Sequence, residues 1–83
     1  MSIPDGNGAD HHKRDVRTAV KIMALMARQG VTQTLIAQRH GVGRQAINRT
    51  VWGLRRSARL RTAIACELGF ESWDDLRAER VTL

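Results

Sequence analysis

The tightest constraint in this chain is a spacing: Ala37 stands four residues before Gly41, and Ile47 six residues after it. Four residues before a turn glycine, two short helices cross closely, and only a small side chain fits. Six residues after it, a branched apolar side chain faces back into the crossing. Gly41 permits a sharp turn with positive φ, and Val42 next to it is expected to dip inward. A generic helical hairpin needs the glycine but neither neighbour. The spacing therefore predicts a helix-turn-helix, with a helix over 33–40 joined to a second over 44–54.

The rest of the chain reads as helix around that pair. Between Asp15 and Arg28, Ala19, Ile22 and Met26 recur on one face, flanked by Val16, Met23 and Leu25, and Gly30 closes the segment. Met23 and Met26 read as core filler. Thr32 can cap the second helix through its hydroxyl, and Leu35, Ile36 and Ala37 supply its apolar side. At about 100° per residue, Ala46, Ile47, Thr50 and Leu54 share one face of the third helix, while Arg44, Gln45, Asn48, Arg49 and Trp52 share the other. Trp52 is expected to pack on the fourth helix rather than on DNA. Ser57 caps that fourth helix, which runs to Leu68 with Leu60, Ala63 and Ile64 inward, and Gly69 stops it. Ser72 to Asp75 resembles a capping box opening a fifth helix. No segment alternates like a strand. The expectation is an all-α, five-helix domain over 13–83, preceded by a disordered tail over 1–12.

A chain of 83 residues supports one domain with one modest core. It leaves little room for a buried catalytic cleft. The single cysteine, Cys66, excludes an internal disulfide and reads as a small buried hydrophobe. The absence of an apolar run near the roughly 20 residues of a membrane span, and of a secretory h-region, leads to the expectation of a cytoplasmic, nucleoid-associated protein without membrane contact. His11, His12 and His40 lack metal-ligand company, and the HHKR run at 11–14 reads either as a solvated tail or as a basic arm touching DNA. No nucleophilic triad, phosphate-cradling glycine loop or apolar carboxylate pair appears. The chain therefore reads as a non-enzyme with no cofactor, metal or small-molecule ligand.

Charge points to the partner. The net charge is +6, and no acidic residue lies between Asp15 and Glu67. That interval holds Arg17, Lys21, Arg28, Arg39, Arg44, Arg49, Arg55, Arg56, Arg59 and Arg61. A block of one sign attracts a polyanion, and arginine rather than lysine suits bidentate recognition of phosphate and guanine.

These residues also carry a resemblance. Ile22-x-x-Leu25, Gly30-Val31-Thr32-Gln33-x-x-Ile36-Ala37-x-x-x-Gly41-Val42-Gly43-x-x-x-Ile47 and Gly53 look like the DNA-binding domain of lambda-repressor-like regulators, over residues 16–69. The chain most resembles the small phage regulators of Ner and Cro type. The resemblance implies a compact five-helix fold, a third helix in the major groove, and transcriptional repression. It also supports Gln33, Arg44 and Gln45 as DNA contacts. Gly43 departs from the usual Ser or Thr cap and offers no side-chain acceptor.

From the helical wheel, Arg44, Gln45, Asn48 and Arg49 form the expected base-reading set: arginine pairs with guanine, and the amides with adenine. Gln33, Arg55, Arg56, Arg17 and Lys21 are the expected phosphate contacts. Ala37, Gly41, Val42 and Ile47 hold the turn. Such domains commonly bind double-stranded DNA as homodimers, and Trp73, Leu76, Val81 and Leu83 form the candidate dimer surface. Other functions open to the same residues are a DNA architectural or recombination accessory protein, an antitoxin, or a basic adaptor for an acidic protein.

Overall fold

A computed structural model describes residues 15–81. Within them the chain forms five helices and no strand: α1 (Val16–Gln29), α2 (Gln33–His40), α3 (Arg44–Val51), α4 (Ala58–Glu67) and α5 (Trp73–Ala78). The tail over 1–12 and Leu83 lie outside the described residues.

Four helices begin on a side-chain cap. Asp15 accepts from the Thr18 amide, Thr32 from Leu35, Ser57 from Leu60 and Ser72 from Asp75, at 3.0–3.2 Å. Each cap satisfies one of the donors that a helix start leaves unpaired. α3 is the exception: its cap is Gly43, with no side-chain hydrogen bond.

The turn between α2 and α3 is tight. Gly41 sits in the left-handed region at φ 66°, where any side chain on Cα is disfavoured. That conformation lets the Val42 amide donate to the Ala37 carbonyl at 3.0 Å, closing the end of α2. Val42 is half-buried and packs against the core. Ala37 and Ile47 lie in the same buried cluster, Ile47 with no exposed surface. Both residues are thus buried in the core that α2 and α3 share.

α3 ends at Val51, three residues before the expected boundary. Gly53 adopts φ 77°, and the amide of Leu54 turns back to the Arg49 carbonyl at 2.8 Å. Leu54 consequently lies outside and is 40% exposed, and Val51 takes its expected place in the core. Thr50 is fully buried, its hydroxyl donating to the Ala46 carbonyl. Trp52 caps the helix and packs against the core.

The core collects Ile22, Leu25 and Met26 of α1, Ile36 of α2, Ile47 and Val51 of α3, Leu60 and Ile64 of α4, Leu68, and Leu76 of α5. Burying such side chains contributes roughly 1.5–3 kcal/mol each. Two expectations fail here. Met23 is 38% exposed, because Ala19, Ile22 and Met26 occupy the inward arc of α1 and leave it on the flank. Cys66 is exposed on the outer face of α4, beside Thr62 and Arg59, while Ala63 and Ile64 point inward.

Polar contacts fix α2 and α1 against α4. Arg39 and His40, at the end of α2, both reach the Glu67 carboxylate at 3.2 Å. Arg59 donates to the His40 carbonyl at 2.9 Å, and Gln29 at the end of α1 donates to the Leu68 carbonyl. No helix among the described residues is long and apolar enough to cross a membrane.

Candidate nucleic-acid interface

The third helix divides cleanly around its axis. Ile47, Thr50 and Val51 are buried and Ala46 is half-buried, leaving Arg44, Gln45 and Arg49 exposed on the opposite arc. The arc follows from the sequence period, and the tight Gly41 turn determines which way α2 lets it face. Three long polar side chains thus stand as one ridge with no acidic residue anywhere on α1, α2 or α3.

Asn48 lies within the same arc, between Arg44 and Gln45 around the axis. It is half-buried, and its Oδ1 accepts from Nε2 of Gln33 at 3.2 Å. Gln33 opens α2, so this bond joins the first turn of one helix to the middle of the next. The bond also orients both amides. Asn48 turns Nδ2 away from Gln33, as a donor, and Gln33 keeps Oε1 as an acceptor. The bidentate adenine pairing expected of Asn48 needs both ends of the amide. The amide oxygen has two lone pairs, so Oδ1 can accept from Gln33 and still meet a base edge, and the bond holds the side chain in place beside α2.

The expected phosphate contacts divide. Arg55 and Arg56 are exposed directly after α3. Arg17 and Lys21 are brought instead into a crevice between α1 and α5, lined also by Asp15, Asp74 and Arg77. Lys21 Nζ donates to the Arg77 carbonyl there. Its ammonium thereby ties α1 to α5.

The candidate dimer surface is largely turned inward. Leu76 has no exposed surface, and Trp73 and Val81 are half-buried against the core. α5 is a single short helix, and it can cover α1 and α4 only by spending its apolar side chains on them. Among the described residues, the exposed large apolar side chains are instead Val16, Met23 and Leu54.

Sequence reasoning missed a second basic group. Arg61 stacks over the Trp73 ring at 5.5 Å from its centroid, a cation–π contact. Arg56, Arg61 and Arg77 line one cavity with Asp15, Gly53 and Trp73. Arg77 Nε lies 4.0 Å from Asp15 Oδ2. Burial alone would raise the Asp15 carboxyl, but hydrogen bonding with Thr18 and the Arg77 and Arg61 guanidiniums outweigh it and hold the group below the usual carboxylate value.

Among the described residues, no group of three or more His, Cys, Asp or Glu is placed to hold a metal ion. Compared with protein-family models, curated proteins and solved structures, the chain matches none.

Proposed function

We propose that this chain is a sequence-specific double-stranded DNA-binding regulator of transcription, built as a lambda-repressor-like helix-turn-helix. The observation that carries the reading is the ridge of Arg44, Gln45 and Arg49 on α3, with Asn48 tied to Gln33 at the start of α2. In such a pair the second helix enters the major groove and the start of the first meets the backbone. Arg44 and Arg49 then read guanine, Gln45 reads adenine, and Asn48 donates to a base acceptor. Arg55 and Arg56 hold phosphates beyond the end of the helix. One recognition helix covers few bases, so the chain acts as a homodimer on two half-sites about one helical turn apart. Repression, in the manner of small phage regulators, is the activity this arrangement serves, in the cytoplasm beside the nucleoid.

Selection of bound duplexes from a randomised pool tests the reading. The expected result is an enriched motif with two related halves. Arg44→Ala or Gln45→Ala should relax one position of that motif at a cost of about 1–3 kcal/mol, whereas Arg55→Ala should weaken all duplexes alike. Strong, salt-sensitive binding with no enriched motif would replace this reading with that of an architectural protein, and no binding at all would end both.

A further inference from the structure

The cavity that Arg56, Arg61 and Arg77 share has no part in the reading of DNA bases. It lies where α1 begins, α3 ends and α5 begins, and it is lined by those three arginines with Asp15, Gly53 and Trp73. We propose that it is a binding site for a small phosphate monoester, and that occupancy there lowers DNA affinity by drawing Arg56 away from the duplex; this second clause rests on the function proposed above, and the first does not.

Charge selects the ligand class. Three guanidiniums less one carboxylate leave two positive charges along the lining, the complement of a monoester dianion and not of a singly charged phosphodiester. Guanidiniums offer paired donors in a plane that matches phosphate oxygens. The site also holds a donor in want of an acceptor. Nε of Arg61 is buried and finds no hydrogen-bond partner among the described residues, a costly unpaired state. An oxygen could engage it only once the side chain shifts on the Trp73 ring, and such a shift would relieve that cost. Asp15 is otherwise occupied: its Oδ1 accepts from the Thr18 amide, and its Oδ2 faces Arg77. Size narrows the class further. The cavity is about 250 Å³, below the roughly 300–1,000 Å³ of pockets for drug-sized ligands. It suits a phosphoryl group on a small organic body, not a dinucleotide.

The site is mechanically joined to the reading helix. The Asp15 amide donates to the Trp52 carbonyl at the end of α3 at 2.9 Å, and Gly53 follows in the lining. Arg56 contributes to the cavity and stands among the expected phosphate contacts, so one side chain serves two competing anions.

The test titrates the full chain with methyl phosphate at constant ionic strength, following the Arg Nε and Trp indole resonances. Saturable shifts at Arg61, Arg77 and the Trp73 indole are expected, with affinity at least tenfold weaker for dimethyl phosphate. Binding should fall several-fold from pH 7 to pH 5, as the monoester dianion takes up a proton near pH 6 and becomes singly charged. Arg77→Gln should lose tenfold or more, while Arg80→Gln, on an exposed residue outside the cavity, should bind as the parent does. Arg56→Gln alters an exposed residue and keeps the fold intact, so it remains informative if Arg61→Gln unfolds; it too should lose several-fold. Non-saturating shifts spread over all exposed arginines would overturn the proposal, as would equal affinity for the two phosphates. Saturation by duplex DNA and dimethyl phosphate alone would make the cavity a backbone contact. Saturable monoester binding that leaves DNA affinity unchanged would keep the site and discard the coupling.

Discussion

Single residues in this protein do more than one task, and the Gln33–Asn48 bond is the clearest case. It spends one end of each amide on the other. On the proposed function, Gln33→Leu should therefore remove a phosphate contact and also release Asn48 to turn. The expected result is a uniform weakening of about 1 kcal/mol together with an altered preference at the base opposite Asn48, read by repeating the duplex selection. A uniform loss with unchanged preference would show that the bond does not govern reading. Asp15 is a second case, serving as the cap of α1, the partner of Arg77 and an anchor to α3 through its amide. Its folded carboxyl is lowered relative to the unfolded chain, so its contribution is fully present above the unfolded value near 3.9 and is lost as pH falls through the lower folded one. Asp15→Asn should flatten the acid limb of the stability curve below about pH 4 while leaving that curve's shape near neutrality unchanged. Thermal melts across that range check it, and an unaltered acid limb would contradict the assignment.

At the scale of elements, the helix boundaries follow from their ends. Gly41 takes φ 66°, and a Cβ placed there meets nothing within 4 Å. Gly41→Ala is thus opposed by backbone strain alone, about 1–2 kcal/mol. Gly43 is different: its φ is −78°, and a Cβ there also meets open space. Gly43→Ser supplies the missing cap and should stabilise by a few tenths of a kcal/mol, raising the midpoint by roughly 1–3 °C. Opposite signs for the two variants in one melting series are the expected outcome; two losses would mean the start of α3 is strained in a way its dihedrals do not reveal. These ends also explain what was legible in the sequence. The burial of Ala37 and Ile47 and the left-handed turn at Gly41 are readable because a small residue, a glycine and a branched apolar residue at fixed spacing are local steric demands. The inward arc of α3 was readable too, but Leu54 was placed on it wrongly. A wheel assumes the helix continues, whereas Gly53 in the left-handed region ends it. The inward side of α5 was not readable at all. Trp73, Leu76 and Val81 look the same in sequence whether they cover a core or a partner. The arginine cavity was hidden for a related reason, since residues 15, 53, 56, 61, 73 and 77 meet only through tertiary packing.

The whole molecule is small enough that its charge acts as one object. Ten basic residues fall between Asp15 and Glu67 with no acidic one, and the described acids otherwise lie from Glu67 onward. If six or more phosphates are engaged by a dimer, affinity for the selected duplex should fall about a thousandfold or more between 50 and 200 mM salt. A slope near zero on a double-logarithmic plot would exclude backbone contacts as the main source of affinity. The clasp at Glu67 has a bearing on how the partners meet. By drawing Arg39 and His40 of α2 onto α4, it mutes the positive field at the rear of the turn and leaves the front unopposed. A molecule charged in this uneven way has a bow and a stern. On the proposed function, it would swing in the field of a duplex before touching it, so that encounters would begin with the arginine crest leading.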